Sequence, residues 1–239
     1  MSRLFSAVIV AAGFALGGWF VSHGFELRRA ERVVTVKCLA ERNVKADLAL
    51  WPLRYAEAGN DLADVQARIQ KDTAAVQGFL AAHSLGQAIA CRNLQVTDRA
   101  AQQWGESSYK QRFVITATLL VRSRDVGAVD AAAQDTRALI EQGVALAAGN
   151  EGPGSGGPSY VFTQLNAIKP ELIAEATRNA RAAAQQFAHD FGSRVGGIVR
   201  ASQGVIEILP RDAVPGAMQQ QQIDKTVRVV ATLDYALER

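Results

Sequence analysis

Hydrophobic and polar residues alternate with period two in some stretches of the chain and recur with helical period in others, and these rhythms lay out its elements. Val34, Val36, Cys38 and Ala40 alternate with Val33, Thr35, Lys37 and Leu39, which predicts a strand followed by a turn over 42–45. A second strand over 47–55 puts Trp51, Leu53 and Tyr55 on one face. Pro52 cannot donate to a ladder, so that strand is expected at an edge or bulged. Asn60 and Asp61 signal the start of a helix running to 83 and ended by Gly86. Leu62, Val65, Ile69, Val76, Phe79 and Leu80 form its apolar stripe. A strand over 89–97, a polar loop holding Trp104 and Gly105, and a strand over 109–121 follow. In the last of these Phe113, Ile115, Ala117, Leu119 and Val121 share a face, with Thr116 and Thr118 opposite.

Asp125 opens an alanine-rich helix to 148, and the Gly- and Pro-rich segment 149–158 reads as a flexible connection. Beyond it come a strand at 160–165 and a long helix opened by Pro170, with Leu172, Ile173, Ala176, Ala180, Ala183, Phe187 and Phe191 as its stripe. Strands over 197–209 and 223–236 finish the chain, the last burying Val227, Val229, Ala231, Leu233 and Tyr235. The order strand–helix–strand–strand thus occurs at 47–122 and again at 160–236. The fold class expected is α+β: two such repeats with antiparallel sheets and long amphipathic helices, preceded by one N-terminal transmembrane helix. The domain boundaries expected are an anchor at 1–25, a first α+β half at 26–124, a connecting helix and linker at 125–158, and a second half at 159–239.

The anchor rests on residues 4–25, a run of 22 without Asp, Glu, Lys or Arg. As a helix it reaches roughly 33 Å, against a hydrocarbon core of about 30 Å. Trp19 and Phe20 lie near its far end, where an interfacial aromatic belt sits, and Gly13 and Gly17 have the spacing that lets membrane helices approach closely. Ala15-Leu16-Gly17 resembles a small-residue cleavage site, but the apolar run continues past it through Val21, which favours an uncleaved anchor. Arg28, Arg29 and Arg32 outnumber Arg3, so charge counting alone would put the body in the cytoplasm.

Composition narrows the function classes. Hydrophobic residues make up 49% and charged residues 21%, the mix of a folded globular body. The 26 Lys+Arg against 23 Asp+Glu leave +3, and without residues 1–25 the balance is 25 to 23, or +2. The pI near 9.0 therefore reflects a small surplus spread along the chain, and no nucleic-acid partner is expected.

The sequence holds no pattern that nominates a catalytic residue, a cofactor or a metal site. Gly152, Gly154 and Gly157 match G-x-G-x-x-G, but they follow a helix, contain Pro153 and lead into a strand, the reverse of a dinucleotide site. His83 and His189 read as surface or capping residues, and adjacent helical positions keep His189 and Asp190 from facing one another. Cys38 and Cys91 read as separate buried thiols or, in an oxidising compartment, as a disulfide. Trp104 is a candidate partner contact, Gly13 and Gly17 are candidates for membrane-helix packing, and 219–222 reads as a solvated hairpin loop.

Three stretches carry a family resemblance. VVTVKCLAERNVKAD at 33–47 resembles an opening hairpin of the pattern ITVxGxGEVxVxPDxA. The helix with Ala176, Ala180, Ala183 and Ala184, followed by FAHDFG at 187–192 and Gly196-Gly197-Ile198-Val199, resembles AxxxAxxKAxxLAxxxG leading into a strand. Tyr160-Val161-Phe162 echoes the strand before it. Together they resemble the SIMPL-domain family, the bacterial YggE-like and periplasmic immunogenic proteins, across 33–236. Cys38 stands where that family usually has glycine, and Lys45-Ala46 replaces its residue-proline pair. The resemblance implies a body exported to the periplasm from an inner-membrane anchor, homo-oligomeric association and a link to oxidative-stress or envelope defence. It implies no reaction and no active-site residues. The expectation is a non-enzymatic, self-assembling protein; the alternative is a periplasmic binding module for a hydrophobic ligand or partner protein, using Trp104 and the hinge at 149–158.

Overall fold

The computed structural model describes Trp19 and residues 32–101, 110–147, 156–212 and 218–238. In chain order the elements are β1 (Val33–Lys45), β2 (Leu48–Gly59), α1 (Leu62–Ala82), β3 (Ile89–Asp98), β4 (Phe113–Ser123), α2 (Val126–Gln134), α3 (Arg137–Glu141), β5 (Ser159–Val161), α4 (Leu165–Asp190), β6 (Arg194–Pro210) and β7 (Asp224–Glu238). The chain is α+β, with strand orders β3-β4-β2-β5 and β1-β7-β6. It divides into two compact units. One holds 41–170 and 207–228, and the other 1–40, 171–206 and 229–239, so the boundaries fall within β1, β6 and β7 and at Pro170 of α4.

In the larger unit β2 pairs antiparallel with β4 along its whole length, and α1, α2 and α3 lie on one face of the sheet. Trp51, Leu53 and Tyr55 of β2 meet Ile115, Ala117, Leu119 and Val121 of β4 in the core, under Val65, Ile69, Val76, Phe79 and Leu80 of α1. Asp61 caps α1 by accepting from the N–H groups of Ala63 (2.8 Å) and Asp64 (3.1 Å), two of the donors a helix start leaves open. At the other end Ser84 takes a left-handed φ of 63°, and Leu85 N–H returns to the Leu80 carbonyl at 2.7 Å. Ser84, not Gly86, makes that turn.

Pro52 sits where its missing N–H does no harm. Arg54, two residues on, turns its carbonyl away from β4 to accept from Ala147, so the imide nitrogen of Pro52 also faces away from β4. On that side β5 reaches only Leu48–Leu50. The strand is interior by order but open-edged at Pro52, which is the environment a strand proline requires.

The smaller unit packs α4 on a sheet of β1, β7 and β6. Leu172, Ala176, Ala180, Ala184 and Ala188 form the fully buried row of α4, against Val229, Ala231, Leu233 and Tyr235 of β7. Four of the five helix positions are alanine, so the row of small side chains sits directly against the sheet. The row steps by four, and Phe187 and Phe191, expected in the buried stripe, fall outside it; Phe191 is 78% exposed.

Several expectations change. The segment 42–45 is strand, not turn, and β1 and β2 belong to different sheets, so the expected opening hairpin does not exist. The helix expected over 125–148 breaks at Asp135-Thr136 into α2 and α3, where two short polar side chains compete for backbone hydrogen bonds. α4 begins at Leu165, and Pro170 lies inside it. The strand expected to lead the second repeat, β5, pairs instead with β2. The repeat itself survives in another form: β2, α1, β3, β4 correspond to β1, α4, β6, β7, with strand orders β3-β4-β2 and β6-β7-β1. The second copy therefore takes its first strand from the beginning of the chain. The expected transmembrane helix lies outside the described residues, and among those described no helix is long and apolar enough to cross a membrane.

Candidate functional site

One helix is about 10 Å across, and neighbouring strands lie about 4.8 Å apart, so a single helix covers two strands and leaves a third open. In the larger unit α1 lies over β2 and β4. β3, paired antiparallel with β4 through Arg92↔Leu119, Leu94↔Ala117 and Val96↔Ile115, turns Arg92, Leu94 and Val96 toward the helix side. Leu94 stays 55% exposed and Val96 52%. Between α1 and β3 this leaves a groove of about 290 Å³, with Tyr55, Ile69, Leu94, Ala117 and Leu119 as apolar lining and Gln66, Gln70 and Arg92 as polar lining.

The Tyr55 hydroxyl donates to Thr73 Oγ1 at 2.8 Å, and that hydroxyl donates onward to the Ile69 carbonyl at 2.7 Å. Burial raises the Tyr55 pKa, so it remains a neutral phenol. Arg92 is the charged residue of the lining and has no ion-pair partner among the described residues. One turn along α1 lies Asp72, only 8% exposed although it interrupts the apolar stripe. Its carboxyl hydrogen-bonds Glu57, which accepts from Arg68 Nε at 2.8 Å. Burial first, and the neighbouring Glu57 second, push Asp72 above the usual carboxylate range.

The smaller unit repeats the geometry without the charge. Ile173 and Thr177 of α4 face Ala201 and Gln203 of β6 and Ala231 and Leu233 of β7 across a groove of about 170 Å³. Val199 and Val205 share the parity of Ala201 and Gln203 on β6, and Val205 is 81% exposed. At 17 residues β6 is the longest strand, and it lies at the edge of its sheet.

The expected site residues Trp104, Gly13 and Gly17 lie outside the described residues. His83 is the C-cap of α1; its ring packs on Phe79 and its Nε2 lies 3.2 Å from Asp135 Oδ2. His189 Nδ1 comes within 3.5 Å of Asp190 Oδ1, closer than helical geometry led us to expect, on an exposed surface. Cys38 and Cys91 are both unpaired, but neither is buried as expected: Cys38 is half-buried and Cys91 exposed. Among the described residues no group of three His, Cys, Asp or Glu is placed to hold a metal ion.

Two ionisable residues, Asp72 and Lys225, are buried where the hydrophobic pattern alone does not place them. Lys225 of β7 is fully buried, and its Nζ donates to the Gln219 carbonyl at 2.7 Å, fastening the turn at Gln219–Gln221. Burial lowers its pKa. Both residues carried a usable signal: Lys225 has the inward parity of Val227, and Asp72 sits three residues after Ile69 and four before Val76.

No curated protein matches the chain. The model of the SIMPL family, described as a protein of unknown function (DUF541), matches residues 34–235. That span takes in both units and every strand of both sheets, and the chain belongs to the SIMPL family.

Proposed function

We propose that this chain is a non-enzymatic protein of the bacterial inner membrane, anchored by residues 1–25 with its body in the periplasm, that self-assembles into a homo-oligomer. The observation that carries the assembly reading is β6. A long edge strand offers a row of unpaired backbone N–H and C=O groups, and soluble proteins usually blunt such edges with charge, proline or a covering element. β6 has Arg194, Arg200 and Glu207 among its exposed residues, yet it also presents Ile198, Val199 and Val205 to solvent. The uncharged run at 4–25 supports the anchor, and SIMPL membership supports export and a role in oxidative-stress or envelope defence. The non-enzymatic reading is supported by where the reactive side chains are used: His83 in a helix cap, Cys38 in a sheet, His189 on an open surface.

Mass measurement of the full-length chain in detergent tests the assembly. A multiple of the 25.6 kDa chain is expected, falling toward monomer in Val205→Lys. A monomeric wild type refutes it. Protease protection in spheroplasts tests placement: cleavage of the body from outside is expected, and resistance refutes the periplasmic reading.

A second reading, a binding module for a hydrophobic ligand, is favoured by the groove beside α1, whose lining is mainly apolar and whose far wall is the uncovered face of β3.

A further inference from the structure

We infer that the groove between α1 and β3 binds a small amphipathic anion, an apolar body carrying one carboxylate, with Arg92 holding the charge. This inference rests on the reading of the groove as a ligand site.

Three observations carry it. The first is the shape and chemistry of the walls. Tyr55, Ile69, Leu94 and Leu119, with Thr73, Asn93 and Thr118 among them, give a mainly apolar lining to a space of about 290 Å³, the lower end of the range of small-molecule sites. The second is the placement of the charge. A guanidinium presents planar N–H donors that match a carboxylate in pairs, and Arg92 stands on the open strand with none of the described carboxylates paired to it. Gln66 and Gln70, one turn apart on α1, add amide donors from the opposite wall.

The third is the internal comparison. The same helix-over-two-strands geometry opens a groove beside α4, but that one is smaller and its lining carries no charged residue. The fold accounts for the existence of a groove, whereas Arg92 is particular to the α1 copy. Charge around the site is compatible with an anion. Of the nearby carboxylates, Glu57 already accepts from Arg68, and burial raises the Asp72 pKa and so favours its neutral form.

Binding of three fluorinated probes to the full-length protein in detergent, read as broadening of their fluorine NMR lines, tests the inference. The probes are 4-fluorophenylacetate, 2-(4-fluorophenyl)ethanol and 2-(4-fluorophenyl)ethylammonium, which share one apolar body and differ in charge. Leu94→Glu, which fills the groove with a negative charge, gives the background from micelles. Above that background the acetate should bind about five- to tenfold more tightly than the alcohol, and the ammonium most weakly. Arg92→Gln should bring acetate and alcohol to parity while leaving the thermal melt and the assembly mass unchanged. Equal binding of acetate and alcohol by the wild type, or a preference that survives Arg92→Gln, overturns the anion assignment and leaves the apolar site standing. Binding of every probe at the Leu94→Glu background overturns both. A change of assembly mass in Arg92→Gln also overturns the assignment, because the groove would then be covered by a second copy.

Discussion

Replacing Asp72 with asparagine should stabilise the chain at neutral pH and flatten part of its pH dependence. Asp72 lies in the buried row of α1 between Ile69 and Val76, 8% exposed, with its carboxyl against that of Glu57. Two carboxyls in hydrogen-bonding contact need a proton between them. Burial and then the charge of Glu57 raise Asp72 above its ordinary 3.8; Lys71 and Arg68 oppose this less strongly. The folded chain thus holds this proton more tightly than the unfolded chain. By linkage, the stability it contributes is full below pH 3.8 and is lost as pH climbs through the higher folded value. Asparagine keeps the shape and brings a permanent N–H donor to Glu57, which needs no borrowed proton.

A hydrogen bond to a charged group contributes about 1.5–3 kcal/mol, and the protonated wild type already makes a comparable bond in acid. The gain should therefore be about 1–2 kcal/mol at pH 8 and smaller at pH 4. For a chain of this size each kcal/mol moves the melting temperature by about 2–4 °C. Thermal melts followed by far-ultraviolet circular dichroism at the two pH values measure it. A variant no more stable than wild type at pH 8, or one with the same advantage at both pH values, refutes the shared-proton argument.

Three further substitutions probe other parts of the fold. Lys225→Met loses the bond to the Gln219 carbonyl but relieves a buried ammonium, and it should stabilise the chain by about 1 kcal/mol or more at pH 7. Because burial lowers the folded pKa, wild-type stability should rise as pH approaches 10.5 and the variant should lack that rise; matching pH curves would sink the assignment. Tyr235 buries a hydroxyl with no hydrogen-bond partner among the described residues, so Tyr235→Phe should raise urea stability by about 1 kcal/mol, and a loss instead would show that the oxygen has a partner. Ala180→Leu inserts bulk where α4 meets its sheet and should lower stability by about 1–3 kcal/mol in the same assay, while Ala183→Leu, half-buried beside it, should do much less.

How far the sequence foretold the structure depends on the range of the interactions involved. Where a residue's partner is near in the chain, the reading was close: the Asp61 cap, the α1 stripe from Val65 to Leu80, and the inward face of β7 from Val227 to Tyr235 all stand as expected. Where the partner is remote it failed. Nothing in VVTVKCLAERNVKAD states that β1 will pair with a strand beginning at Asp224 and not with β2, two residues downstream. Period two is identical for a hairpin and for a long-range pair, and only the competition among edges decides between them. Phe187 and Phe191 failed for a different reason: a stripe drawn at spacings of three and four admits them, but the buried face of the helix is the alanine row stepping by four. Of the candidate site, the sequence pattern predicts the strand over 89–97 that carries Arg92 and Leu94, but not the open side of β3, because exposure there follows from where α1 stops.

That limit also explains how the two repeats are written. A strand covered on its inner face needs large aliphatic side chains there, and β4 supplies Ile115, Leu119 and Val121 while β7 supplies Val227, Val229 and Leu233. A strand beyond the reach of the helix can carry mixed inward residues, and β3 supplies Arg92, Leu94 and Val96 while β6 supplies Val199, Ala201, Gln203 and Val205. The inward-facing positions thus mark β4 and β7 as covered and β3 and β6 as open, in the same topological place in each copy. The open strands differ in one respect that bears on use: β3 lines its groove with an arginine, which favours a charged small ligand, while β6 lines its groove with Ala201, Ser202 and Gln203, all neutral, along a longer edge, which favours another polypeptide. Assigning ligand binding to one copy and assembly to the other requires no departure from the repeat, only different side chains on the strand that a single helix is too narrow to cover.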